Sequence, residues 1–90
     1  ALKTASGIVN DNNGNPESGV TIMAAFIANP VKSIIIENYT FTTTDVNGQF
    51  SFELPQGLFY IYATKQGFKQ DSSPYNNDGI NTLTFDLTLN

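Results

Sequence analysis

Apolar and polar positions alternate along this chain in short runs, and clusters of turn-forming residues separate the runs. The clearest run is Gln49 to Leu54, where every second residue is apolar, so Phe50, Phe52 and Leu54 share one face of an extended strand. Two turns bracket it. Asp45-Val46-Asn47-Gly48 comes before, with Asn and Gly tolerating positive φ and Asp able to bond its own backbone. Pro55-Gln56-Gly57 comes after, where proline ends the ladder and glycine permits a reversal. Leu58 to Ala63 is then a second run of strand formers. Its spacing predicts Phe59, Ile61 and Ala63 inward and Leu58, Tyr60 and Tyr62 outward. Together the two runs predict a hairpin.

The same reading extends over the rest of the chain. Ser6 to Asn10 is a short first strand with Ile8 and Val9 on opposite faces. Asp11-Asn12-Asn13-Gly14-Asn15-Pro16 is a turn cluster. Gly19 to Ile27 places Val20, Ile22, Ala24 and Phe26 on one face. The other face of that strand, with Thr21, Met23, Ala25 and Ile27, is not polar either, which predicts cover on both sides. Ala28 to Asn38 is the least regular stretch and reads as a loop or an extra short strand. Tyr39 to Thr44 is a strand by its aromatic and β-branched content. Lys65-Gln66-Gly67 closes the Leu58 run, with Phe68 tucking back towards the core. Gln70 to Gly79 reads as a polar loop ending in Asn76-Asn77-Asp78-Gly79, and Thr82 to Leu89 alternates with Leu83, Phe85, Leu87 and Leu89 inward. Six or seven strands with turn signals between them and no helical period predict an all-β, antiparallel β-sandwich. Its shared interior is Val20, Ile22, Phe50, Phe52, Phe59, Ile61, Phe85 and Leu87.

Composition narrows the function more than the fold. Ninety residues form one domain over residues 1–90. Strands predicted hard against both ends read as a module cut from a longer protein. The net charge is −4 and the only basic residues are four lysines, so no basic patch for nucleic acid is present. The longest aliphatic block, Ile34-Ile35-Ile36, is far short of a membrane span. There is no cysteine and no histidine, which removes disulfides, thiolate chemistry and the commonest general base and metal ligand. No nucleophile–base pair or telling carboxylate pair is evident, so the chain reads as a non-enzyme with no cofactor.

Two features carry candidate binding chemistry. Asp11, Asn13 and Asn15 place oxygen-bearing side chains at alternate positions, like the first half of a calcium loop. The bidentate Glu at the twelfth loop position is missing, and Asn-Gly turns have this composition for backbone reasons alone. Tyr60 and Tyr62, side by side on one outward face, offer a platform for a sugar ring or a partner surface, with Tyr75 a candidate to extend it. Ordinary cross-strand pairing is the competing account of the same two residues. Asn38-Tyr39-Thr40 also matches the N-glycosylation pattern.

Taken in order, the motifs resemble a known family. Gly7, Val9 and Asp11 are followed by Gly14 and Pro16, then by Gly19, Val20 and Ile22. Thr44, Asp45, Gly48 and Phe50 come next, then Leu54, Pro55, Gly57 and Phe59, then Gly67 and Phe68. This succession resembles the carboxypeptidase regulatory-like domain, related in form to the B-type repeats of collagen-binding adhesins. The resemblance implies a seven-stranded, prealbumin-like or Ig-like Greek-key sandwich. It implies a non-catalytic accessory module of a secreted or cell-surface protein, bacterial by expectation, serving as a spacer or protein-interaction domain beside neighbouring domains. An alternative is a carbohydrate-binding module using Tyr60 and Tyr62 on a polysaccharide-active enzyme. A second alternative is a pilus or adhesin repeat with a Lys3 crosslink to Asn90 or Asp86. The acid such a crosslink needs aligns with Thr64, so its proton shuttle is missing.

Overall fold

Seven strands account for the regular structure: β1 (Leu2–Asp11), β2 (Thr21–Ile27), β3 (Ile36–Thr43), β4 (Gln49–Pro55), β5 (Gly57–Thr64), β6 (Asp71–Asn77) and β7 (Leu83–Leu87). The structure is a computed structural model and describes residues 2–27 and 36–89. The irregular stretch expected over Ala28 to Asn38 lies outside the described residues, except that 36–38 open β3. No helix occurs among the described residues.

The strands form two sheets, β4-β1-β7 and β3-β2-β5-β6. Their inner faces make one apolar layer. Val9, Phe50, Leu54, Phe85 and Leu87 come from the first sheet, and Ile22, Phe59, Ile61 and Tyr75 from the second. Phe50 and Phe85 meet with ring centroids 6.3 Å apart. Phe52 shares the inner face of β4, as its spacing predicts, but is only partly buried against this layer. Phe68 packs against it too.

The predicted hairpin is corrected. β4 pairs with β1, and β5 pairs with β2 and β6, so Pro55-Gln56-Gly57 carries the chain from one sheet to the other. The Asp45–Gly48 turn likewise links β3 in the second sheet to β4 in the first. Local turn chemistry specifies a reversal, and an inter-sheet arch and a hairpin ask for the same residues. One ladder also departs from the antiparallel expectation, because β1 and β7 run parallel, with Gly7 opposite Leu83 and Asp11 opposite Leu87.

Three strand assignments change as well. β1 begins at Leu2 rather than Ser6; there Leu2 is exposed and Lys3 half-buried, which hides the usual signature. The stretch read as a polar loop contains β6, whose inward residues include Ser73 and Asn77 opposite Ile61 and Gly57. Leu89 lies beyond the end of β7 and is exposed rather than inward.

At the Asp11 end, hydrogen bonds tie the turns together. Thr44 is buried; its hydroxyl donates to the Glu17 carbonyl at 2.8 Å and accepts from the Val20 N–H at 3.0 Å. Lys65 pairs with the Glu17 carboxylate and donates to the Ser18 carbonyl, joining the end of β5 to the β1–β2 connection. At the opposite end, Asn77 is fully buried. Its amide donates to the carbonyls of Leu54, Pro55 and Lys3 at 3.0, 3.2 and 3.3 Å.

Candidate functional site

The acidic turns are built alike. The Asp11 carboxylate accepts the N–H groups of Asn13 at 2.8 Å and Asn15 at 2.9 Å. The Asp45 carboxylate accepts those of Asn47 and Gln49, both at 2.9 Å. In each turn the glycine N–H returns to the aspartate carbonyl, Gly14 to Asp11 at 3.0 Å and Gly48 to Asp45 at 2.9 Å. These bonds account for the Asp-x-Asn-Gly pattern at both places through the backbone alone. Asp78 repeats the device further on, accepting from Ile80 at 2.8 Å and Asn81 at 3.0 Å. Hydrogen bonds from Asn15 and Asn13 hold the Asp11 carboxyl below its ordinary pKa, and bonds from Asn81 and Ile80 do the same for Asp78. Among the described residues, no three His, Cys, Asp or Glu side chains converge to hold a metal ion.

The tyrosines divide between two faces. Tyr60 and Tyr62 point outward from β5 as predicted, half-buried, with ring centroids 5.9 Å apart and planes at 64°. One ring turns its edge to the other, which gives one aromatic face and one edge rather than a flat floor two rings wide. The Ser72 hydroxyl donates to the Tyr60 hydroxyl at 3.1 Å. Tyr75 sits opposite Phe59 on the inner face and is buried, so it does not extend the outward surface. Its hydroxyl donates to the Asn81 carbonyl at 2.7 Å. Burial, and secondarily the Asp78 charge, push the pKa of that phenol up.

Sequence reasoning missed the extent of the outward face. Met23 lies opposite both Phe41 and Tyr62, and Tyr60 lies opposite Ala25 and Pro74. An apolar stripe thus crosses all four strands of the second sheet, from Phe41, which is 64% exposed, to Pro74. The available signal was the non-polar second face of β2. Ala25 on that face is buried while Thr21 and Met23 are half-buried, so the predicted cover on the second side is only partial.

A groove of about 700 Å³ opens on the β3–β4 side. Ser6, Thr42, Thr43, Gln49, Ser51 and Thr82 contribute hydroxyl and amide groups to it, and Asp45 is its one carboxylate. Of the crosslink candidates, Lys3 and Asp86 are not brought together. Asp86 stands opposite Asn10, seven residues along β1 from Lys3, or about 23 Å of extended chain. Asn90 lies outside the described residues.

Comparison with known proteins gives similarities of three kinds. The family model of the carboxypeptidase regulatory-like domain matches residues 4–90. Structural protein 27 of a virus (isolate Australia/Victoria) is 32% identical over 85 residues, spanning 93% of this chain and 14% of that protein. Among solved structures, wild-type catechol 1,2 dioxygenase of Acinetobacter radioresistens superposes with a TM-score of 0.60 at 14% identity. That match covers 98% of this chain and 51% of the dioxygenase. A point mutant of the same enzyme superposes equally well at 15% identity. At such identity the dioxygenase likeness concerns the fold alone.

Proposed function

The chain belongs to the carboxypeptidase regulatory-like domain family, and from that premise we propose that it is a non-catalytic structural module on the outer surface of a cell or particle. The observation that carries this reading is the use made of its acidic side chains. Asp11, Asp45 and Asp78 each accept two backbone N–H groups of their own turn, so carboxylates that would serve acid–base or metal chemistry elsewhere are shaping turns here. The viral relative is named a structural protein, which favours the same reading.

The stripe from Phe41 through Met23 and Tyr62 to Tyr60 is the surface we assign to contact with a neighbouring domain or protein. The tilted Tyr60–Tyr62 pair fits a protein side-chain surface better than the flat face of a sugar ring. Titration with cellulose, chitin and xylan fragments, followed by amide NMR, tests the choice. Unchanged spectra across the panel are expected. Saturable shifts centred on Tyr60 and Tyr62 would replace the structural reading with a carbohydrate-binding one.

A further inference from the structure

We propose that the domain is a load-bearing link, in which tension enters through β1, leaves through β7, and is resisted in shear. The inference deepens the structural reading above and rests on it.

The topology carries the argument. β1 and β7 are neighbours and run parallel, so the start of β1 and the end of β7 lie at opposite ends of the sandwich. Tension applied at those two points slides one strand along the other. Hydrogen bonds along a parallel ladder are evenly spaced, and under sliding they must give way together rather than one after another. β1 is also the central strand of its sheet: seven of its residues pair with β4 and five with β7. Sliding β1 therefore strains both ladders, and it drags the fully buried Ala5 and Val9 across the apolar layer.

One end of this clamp is fastened to β6 of the opposite sheet and the other to the β5–β6 connection. Where tension enters, the Asn77 amide at the end of β6 holds the carbonyls of Lys3 in β1 and of Leu54 and Pro55 in β4. Where it leaves, the Lys69 N–H donates to the Thr88 carbonyl at 2.8 Å, and Phe68 bridges Leu89. Neither terminal strand can peel from its end before these ties break. In the viral relative the matching stretch is 14% of a much longer protein. A module placed so within a chain transmits whatever tension that chain bears.

Single-molecule pulling tests this, since resistance to force is set by the unfolding barrier in the loaded direction. The chain has no cysteine, so introduced ones define the attachment points. The unaltered domain, held by handles beyond its two ends, loads β1 against β7. Leu2→Cys with Gln56→Cys, both exposed, instead peels β1 from β4 starting at the Leu2–Pro55 pair. If that pair lowers the melting temperature, Thr4→Cys with Gln56→Cys gives the same geometry. We expect the force for end-to-end unfolding to exceed the peeling force several-fold. Equal forces, or a lower force end to end, would overturn the clamp and leave the structural reading standing. The polysaccharide titration challenges that reading independently.

Discussion

At the scale of single residues, Asn77 concentrates more of the structure than any charged side chain. It is fully buried and its amide donates to three carbonyls on two other strands, while its Oδ1 has no hydrogen-bond partner among the described residues. The clasp works only through its donors. Asn77→Ala removes them and strands buried acceptors, which costs about 1–3 kcal/mol in urea unfolding. Asn77→Asp is worse at neutral pH, because an acceptor-only carboxylate then faces three carbonyl oxygens. Protonation restores one donor, so the Asp variant should gain stability as pH falls, against the trend of the parent. The parent trend follows from Asp11 and Asp78. Their pKa values lie below the ordinary 3.8, so the stability they contribute is present above that value and lost as pH falls beneath it. For Tyr75 the shift is upward from 10.0, so its contribution is complete below pH 10 and declines above it. Melting temperature followed from pH 2 to 11 should show both limbs, with the acid limb shallower in Asp11→Ala. A flat acid limb in the parent would contradict the turn hydrogen bonds.

At the scale of elements, alternation was legible wherever a strand had an apolar inner face, and illegible where it did not. β4, β5 and β7 declared Phe50, Leu54, Phe59, Ile61, Leu83 and Phe85 correctly because each turns an unbroken apolar face to the core. β6 did not, because Ser73, Tyr75 and Asn77 face inward while Pro74 and Asn76 face out, which reads as loop composition. The outward stripe was half legible: Tyr60 and Tyr62 lie in one strand, but Met23 and Phe41 join them only through cross-strand register. Register between distant strands is a tertiary property that no local pattern encodes. The two faces of β5 give a direct test. Phe59→Ala, losing a fully buried ring, should cost about 3–5 kcal/mol, whereas half-buried Tyr62→Ala should cost about 1 kcal/mol. Equal losses in chemical denaturation would mean that the outward face is as buried as the inner one.

At the scale of the whole molecule, the last strand completes what the first begins. β7 supplies Leu83, Phe85 and Leu87 to the apolar layer and covers one edge of β1, while β4 covers the other. Its partner lies more than seventy residues earlier in the chain. The loop-closure entropy of that pairing is met late, and a topology built on such distant pairs folds in milliseconds to seconds rather than microseconds. A chain ending at Asn81 lacks three buried side chains and leaves Val9 and Phe50 without the aromatic ring of Phe85 across the sheet. Each lost apolar side chain is worth about 2–5 kcal/mol, so together they are as large as the whole margin of about 5–15 kcal/mol by which such domains are stable. The truncated chain should therefore show no cooperative thermal transition by circular dichroism. A synthetic peptide spanning residues 82–90 should restore one by reoccupying the β1 edge in parallel. A truncated chain that melts cooperatively on its own would show that the sandwich closes without β7, and that β1 is held by β4 and the core alone.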